Sequence, residues 1–187
     1  MAHYDETSTL DVARERYFEA AGFAPGYEDR WVWLKVGPLP LAFPNAPGRR
    51  RAVRLHDLHH VATGYDTSWQ GEAEISAWEI ASGCAHHLWA WYLNLGGLVI
   101  GLVRAPRLSW RAFLRGRHST NLYRTEGEYH DGLLSRTVGE LRAELALDRP
   151  APRARPGDRL AFALWSALAG LFALSPLLGV ALLAWLW

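Results

Sequence analysis

The stretch from residue 54 to residue 79, RLHDLHHVATGYDTSWQGEAEISAWE, concentrates side chains that bind metal ions. On a helix, His56, Asp57 and His60 fall within an arc of about 100°, because each residue turns the helix by about 100°. Histidines four residues apart on one helix face commonly hold a single divalent ion. His59 points about 100° away from His60 and is left out of the predicted ligand set.

A second carboxylate is expected from the helix that follows. Gly64 is a typical helix stop, and Thr67 or Ser68 can cap the next helix. Short connections make antiparallel neighbours, so Glu72 should lie opposite His60. Two imidazoles and two carboxylates form a mixed nitrogen and oxygen site, which suits Zn²⁺ first and Fe²⁺ or Mn²⁺ as alternatives. The alternative without a metal is that the histidines simply pair with acidic neighbours.

Glu79 follows Glu72 by two helical turns and lies on the same helix face. It could orient a ligand histidine or move a proton. The alternative is a salt bridge to an arginine of a neighbouring helix. We predict that Asp57 and Glu79 are catalytic, whereas His86 and His87 are expected to be polar ends of a long helix rather than ligands.

The spacing His56-Asp57-x-x-His60, an eleven-residue gap and Glu72 resembles the metal motif of the ubiquinone (coenzyme Q) biosynthesis family, protein four. The segments RYFEAAGF, FLRGRHSTNLY and VGELRAELAL resemble other parts of that family, so the resemblance covers roughly residues 10–148. It implies an all-helical, membrane-associated protein that binds a divalent metal, usually described as zinc. His56, Asp57, His60 and Glu72 would then be the metal ligands.

The resemblance also implies action on the polyprenylated aromatic precursors of ubiquinone. The family activity is loss of the ring C1 carboxylate, and replacement of that group by hydroxyl would need an oxidant as well. We therefore expect a metal-dependent carboxy-lyase acting on a polyprenyl 4-hydroxybenzoate. The alternative is a non-catalytic, lipid-binding assembly factor for other quinone-biosynthesis enzymes, with a structural metal. A metal phosphohydrolase is disfavoured, because only His3 precedes His56 and that chemistry usually needs another histidine upstream.

The elements that must position these residues are predicted to be mainly helical, with one short extended segment near the N-terminus. The stretch LNLGGLVIGLV is expected to form core or to line an apolar pocket rather than to make a second membrane span. The predicted elements are a helix over 8–21, an extended segment over 31–45, a helix over 49–63, a helix from 69 into the nineties, an irregular segment over 104–132 and an amphipathic helix over 133–147.

The chain after residue 148 departs from the family pattern. Residues 149–159 form a linker rich in proline and arginine, and residues 160–187 carry no charge. As a helix, that uncharged segment would be about 42 Å long, and a hydrocarbon core needs only about 30 Å. We predict a metal-binding domain over residues 1–148 and a membrane anchor over residues 160–187. Arg153, Arg155 and Arg159 precede the uncharged segment and place the domain on the cytoplasmic side, at the inner membrane if the source is bacterial.

Composition narrows the classes of partner. The formal net charge is only +1, so no nucleic acid partner is expected. Cys84 is the single cysteine, which excludes a cysteine-rich zinc site. No basic segment leads into an apolar one at the N-terminus, so no signal peptide is expected. The partners predicted instead are a polyprenylated aromatic lipid and the membrane, with other quinone-biosynthesis enzymes as further candidates.

Overall fold

A computed structural model describes residues 4–22, 26–36, 39–150 and 153–186 of the chain. The predicted fold class is confirmed, because the described chain is mainly helical with one two-stranded sheet and an apolar C-terminal helix. The elements in chain order are α1 (Leu10–Ala21), β1 (Trp31–Val36), β2 (Leu39–Pro44), α2 (Pro47–Thr63), α3 (Trp69–Ser82), α4 (Leu88–Arg104), α5 (Pro106–Arg117), α6 (Leu122–Thr125), a 3-10 turn (Asp131–Ser135), α7 (Val138–Glu144) and α8 (Pro156–Leu186).

The N-terminal elements follow their sequence signals. Thr9 caps α1 by accepting a hydrogen bond from the first turn, and Gly22 ends the helix with a φ of 69°. The predicted extended segment is an antiparallel hairpin in which Trp31 pairs with Pro44. The extended segment was also predicted to turn at Gly37 and Pro38, and these two residues lie outside the described part of the chain.

Helices α2 and α3 carry the predicted ligands, and their adjoining ends are defined by short polar contacts. Gly64 ends α2 in the left-handed region, with a φ of 77°, and its N–H donates to the His60 carbonyl. Ser68 caps α3, where its hydroxyl accepts a hydrogen bond from the Gly71 N–H at 3.2 Å. The connection between the two helices is therefore as short as predicted.

The prediction that α3 continues into the nineties is wrong. The helix ends at Ser82, because Gly83 has a φ of 93° and Ala85 has a φ of 45°, and neither fits a right-handed helix. The Asn121 side chain holds the break by donating to the Ser82 hydroxyl at 2.8 Å and to the Gly83 carbonyl at 3.1 Å. A new helix, α4, begins at Leu88.

The prediction of an irregular segment after α4 is also wrong. Pro106 occupies the first turn of α5, where a missing N–H costs no helical hydrogen bond. The buried face of α5 is narrow, and the arginines of this helix obscured its apolar spacing in the sequence. Its buried residues recur at helical spacing and are Ser109, Ala112, Phe113 and Gly116.

The amphipathic helix expected over residues 133–147 is shorter in the structure. Its first turn is part of the 3-10 turn instead, and α7 begins after Thr137. Thr137 and Glu140 form a capping box, in which each side chain bonds to the backbone N–H of the other residue. Val138, Leu141 and Leu145 are fully buried, so the predicted apolar face is the one that packs.

Close approach of α4 and α5 to α3 depends on glycine. A β-carbon at Gly97 of α4 would lie 2.7 Å from the Ser76 β-carbon and 3.5 Å from the Glu72 carbonyl oxygen. A β-carbon at Gly116 of α5 would collide with the Trp78 carbonyl oxygen. These contacts place α4 directly behind the part of α3 that carries Glu72.

Helix α8 packs one face against the rest of the chain. Its Trp165 stacks on Trp91 of α4 with ring centroids 5.1 Å apart, and its Phe162 contacts Phe113 of α5, also at 5.1 Å. The opposite face is a stripe of exposed leucines. These are Leu160, Leu164, Leu168, Leu171 and Leu174.

Helix α8 also contains a candidate membrane span. Residues Pro156–Ser175 form a stretch of 20 residues that is long and apolar enough to cross a bilayer. The helix begins at Pro156, so the end of the predicted linker, residues 156–159, belongs to it. Helix α4 is apolar but only 17 residues long. The candidate span is thus carried by a helix that also packs on α4 and α5.

We predict that Gly97→Ala destabilises the fold by about 1–3 kcal/mol, because the added methyl group overpacks the contact with Ser76. The matched control is Gly96→Ala on the same helix, where the nearest atom to the new methyl group is a Phe172 ring carbon at an ordinary 4.0 Å. The control should be neutral or slightly stabilising, since alanine favours helix. Thermal unfolding in detergent measures both, and equal melting temperatures would contradict the packing described here.

Candidate metal centre

Three of the four predicted ligands meet between α2 and α3. The Nε2 atoms of His56 and His60 are 3.1 Å apart. One Glu72 carboxylate oxygen lies 3.6 Å from His56 Nε2, and the other lies 3.4 Å from His60 Nε2. One ligand atom from each residue can be chosen so that all three lie within 4.8 Å of one another. His56, His60 and Glu72 therefore surround a single point.

The hydrogen bonds of the two histidines assign their tautomers. His56 Nδ1 donates to a Glu79 carboxylate oxygen at 2.8 Å, and His60 Nδ1 donates to the Tyr65 carbonyl oxygen at 2.8 Å. Because both acceptors lack a proton to give, each neutral ring carries its proton on Nδ1. When both rings are neutral, the two Nε2 lone pairs therefore point into the same space. A cation between them would bind both lone pairs. Glu79 and the Tyr65 carbonyl would then hold the two rings in place, as outer partners do at protein metal sites.

The donor set fits a divalent ion. Two ring nitrogens bound at about 2.0–2.1 Å to one tetrahedral zinc lie about 3.3 Å apart, close to the observed 3.1 Å. Two imidazoles and one carboxylate also suit Fe²⁺ or Mn²⁺. The His60 side chain is fully buried, whereas those of His56 and Glu72 are 20% and 39% exposed. The site is therefore open on one side, as sites that accept a further ligand are.

The electrostatics of Glu72 agree with a ligand role. Burial by itself would raise the pKa of its carboxyl, but the imidazoles of His56 and His60 hold the pKa well below its ordinary value. Glu72 is therefore an anion in the folded chain. Burial would lower the pKa of His56, but Glu79 and Glu72 raise it well above its ordinary value, so an ion that binds here would displace a proton from the His56 ring.

Asp57, the fourth predicted ligand, does not join this group. One of its carboxylate oxygens accepts a hydrogen bond from the Tyr27 hydroxyl, and the other is 3.5 Å from the Tyr17 hydroxyl. Burial raises the pKa of Asp57. Burial, together with the nearby Asp57 charge, raises the pKa of both tyrosines as well. Asp57 forms a separate carboxyl–phenol group beside His56, and its role as a ligand stays a prediction.

Glu79 is fully buried and organises the site from behind. One oxygen accepts from His56 and, at 2.6 Å, from His59; the other accepts from Asn94 at 2.5 Å and from Tyr123 at 3.3 Å. Burial would raise the pKa of Glu79, but the two histidines hold it well below its ordinary value. No arginine contacts it among the described residues. Glu79 thus contacts His56 and not the arginine of the alternative, and its catalytic role stays a prediction.

His59 is the part of the site that sequence reasoning left out. It is fully buried, its Nδ1 donates to Glu79, and its Nε2 accepts from the Leu122 backbone N–H at 3.0 Å. Burial lowers the pKa of His59, so the ring is neutral. It ties Glu79 to α6 without facing the ligand cluster. The sequence offered one signal for this role, which is that His59 directly precedes His60 but points away from the predicted ligands.

His86 and His87, which were predicted to be polar ends of a long helix, lie at the break between α3 and α4. His87 Nε2 donates to the Gly127 carbonyl oxygen at 2.5 Å, and the exposed His86 pairs with Glu128 at 3.2 Å. His86, His87 and Glu128 also come within 4.8 Å of one another. Because His87 already uses Nε2 as a donor and the other two side chains are more than half exposed, this group lacks the built surroundings of the first cluster.

The site thus brings together three candidate ligand side chains, and the Nδ1 atoms of its two histidines are already fixed by other groups. Such outer contacts set tautomer and ring orientation in metal sites generally. No protein-family model matches this chain, and neither a curated protein nor a solved structure does.

We predict that His60→Ala and Glu72→Ala each abolish stoichiometric binding of a divalent ion, because two remaining ligands cannot hold it. Asp57→Asn should keep the metal, since its carboxylate is engaged with tyrosines. Elemental analysis of the purified proteins measures this, with the exposed His86→Ala as control. Equal metal content in wild type and in all variants would rule out the site, and loss in Asp57→Asn would make Asp57 a ligand.

We predict that Glu79→Gln weakens metal binding by about 10–100-fold while leaving all three ligands in place. The new amide turns one acceptor into a donor that faces other donors, so His56 loses its orientation. The matched control is Glu74→Gln, which changes a partly exposed carboxylate on the same helix. Competition with a chelating dye measures the affinity. Unchanged affinity in Glu79→Gln would contradict the orienting role.

Proposed function

We propose that the chain is a membrane-anchored, metal-dependent carboxy-lyase of ubiquinone biosynthesis. Its substrate would be a polyprenylated 4-hydroxybenzoate, from which it removes the ring C1 carboxylate. The observation that carries the proposal is the converging cluster of His56, His60 and Glu72, open on one side and spaced as in the motif of the resembling family. The metal of the proposal is Zn²⁺, with Fe²⁺ or Mn²⁺ as alternatives.

The ligand count supports an enzyme over a purely structural metal site. Structural zinc sites are closed by four protein ligands, whereas catalytic sites have three protein ligands and one open position. This cluster has three, and two of them are partly exposed. The open position is where a substrate carboxylate would bind.

The side chains around the cluster have separate tasks in the proposed reaction. When bound, the ion would supply Lewis acidity toward the carboxylate or phenolate oxygen of the substrate. Glu79 and the Tyr65 carbonyl keep both histidines in the ligating tautomer. Loss of carbon dioxide breaks the bond from C1 to the carboxyl carbon, and the electron pair left at C1 takes up one proton. Asp57, held by Tyr17 and Tyr27 beside the site, is the residue we assign to positioning this end of the substrate.

The isoprenoid tail would reach the site from the bilayer. Glu72 lies against α4 at Gly97, and the outer side of α4 exposes Leu88, Tyr92 and Val103. Helix α8 supplies the anchor in this proposal, and the arginines that precede it keep the domain on the cytoplasmic side. A lipid could then move sideways from the membrane without exposing its tail to water.

We predict that membranes containing the wild-type chain release labelled carbon dioxide from a ring-carboxylate-labelled polyprenyl hydroxybenzoate, and that His60→Ala reduces this release to background. The loss is expected because the open position disappears with the ion. Glu74→Gln is the control for expression and membrane insertion. If the metal-free variant supports full conversion in cells lacking the native protein, catalysis is excluded, and a lipid-binding assembly factor for other quinone-biosynthesis enzymes takes its place.

We predict that Leu168→Glu combined with Leu171→Glu releases the full chain from membranes on alkaline carbonate extraction. Both leucines lie on the exposed face of α8, so the packed face stays intact while two charges enter the span. Val12→Glu, on the exposed side of α1, is the control. A double variant that still resists extraction would show that α8 is not the anchor.

A further inference from the structure

The corner between α4 and α5 is basic, and no acidic side chain of the described residues pairs with its arginines. Arg104, Arg107 and Arg111 are exposed, and none of them has an ion pair or a side-chain hydrogen bond with another described residue. The sequence contains no aspartate or glutamate between Glu79 and Glu126. The positive charge of this corner is therefore free to meet an external anion.

The same corner borders exposed apolar surface. Val103, directly before Arg104, is 79% exposed, and Tyr92 and Leu88 continue the exposed side of α4. The buried side of that helix is the opposite one, so these residues are not needed for the core. Those buried residues are Ala90, Asn94, Leu98 and Gly101.

Helix α5 runs antiparallel to the beginning of α8. Arg117 at its end pairs with Asp158 at 3.3 Å, and Trp110, almost two turns earlier, contacts Phe162 at 5.2 Å. Continued in the same direction, α5 carries Arg107 toward later turns of α8. Those turns expose Leu168 and Leu171. Basic and apolar groups thus lie together at one end of the domain, at the level where α8 would enter a bilayer, and the turns of α8 before Leu168 lie beside the domain.

We propose that this corner docks on a bilayer of anionic lipids, with Arg104, Arg107 and Arg111 at the headgroups and Val103 in the apolar layer beneath. The inference rests on the membrane anchor of the proposed function. Arginines next to exposed aliphatic side chains match a surface that is anionic outside and apolar inside. A nucleic acid would match the charge but not the adjoining apolar face.

Docking at this corner sets the position of the metal cluster. Glu72 lies against Gly97, about two turns of α4 before Arg104, so the cluster sits close to the docked end. An amphiphilic substrate keeps its carboxylate at the headgroup level and its tail in the bilayer. The anionic headgroups would therefore hold the cluster at the depth where the substrate carboxylate lies.

The test uses the full chain with Val103→Cys, labelled with an environment-sensitive fluorophore and reconstituted in bilayer discs. Cys84 is buried and stays unlabelled. The discs contain either phosphatidylcholine alone or phosphatidylcholine with phosphatidylglycerol. We expect iodide quenching of the label to fall several-fold only in the anionic discs, and the fall to vanish at high salt. The same label at Val12→Cys, on α1, should be quenched equally in both discs.

Removing the three charges tests how much the arginines contribute to docking. Arg104→Gln, Arg107→Gln and Arg111→Gln together should lower the docked-to-undocked ratio by about a hundredfold, at roughly tenfold or less per charge near an anionic surface. Thermal unfolding checks that this triple variant folds. The glutamines lie at exposed positions, so an unchanged melting temperature is expected.

The outcomes separate the two ideas. A chain that inserts in both discs but shows equal quenching of the Val103 label, or a triple variant that still docks, overturns the docking inference and leaves the anchor in place. A chain that stays extractable by alkaline carbonate from both lipid mixtures overturns the anchor, and the docking inference with it. Insertion in both, with protection at Val103 only in anionic discs, supports both.

Discussion

A buried carboxylate at position 79 is the constraint around which the rest of the site is arranged. An ionised group in an apolar interior is tolerated only when it is paired and hydrogen-bonded. Glu79 is satisfied by donors from three directions, since His56 and His59 lie on α2, Asn94 lies on α4 and Tyr123 lies on α6. The relative placement of α2, α3, α4 and α6 is therefore tied to one side chain. The orientation of His56, a candidate metal ligand, follows from the same bonds.

The central part of the site could be predicted from the sequence because it depends on local geometry. Helical spacing brings His56 and His60 to one side, and a glycine stop with a serine cap makes the return short enough for Glu72 to face them. The order of elements up to α3 followed from similar local signals. Asp57 shows the limit of that method, because tyrosines distant in sequence decide where its carboxylate points.

Other features depend on contacts that spacing does not reveal. The end of α3 at Ser82 is held by Asn121, which lies about forty residues further along the chain. Helix α5 was missed because arginines cover most of its surface, although the buried Ser109, Ala112 and Phe113 keep helical spacing. Asn94 was visible as a polar residue inside an apolar stretch, and only its bond to Glu79 explains it.

The way α8 begins has a consequence for how the domain would meet the proposed lipid substrate. Asp158 in its first turn accepts from the Arg155 N–H and pairs with Arg117 and His118, and the helix then packs along the domain through Phe162. Such a helix is fixed to the domain by side-chain contacts rather than joined to it by a flexible segment. If this helix crosses a bilayer, the open side of the candidate metal cluster is confined to a thin layer parallel to the membrane. Encounter would then be a search in two dimensions, governed by the surface density of the lipid and not by its bulk concentration.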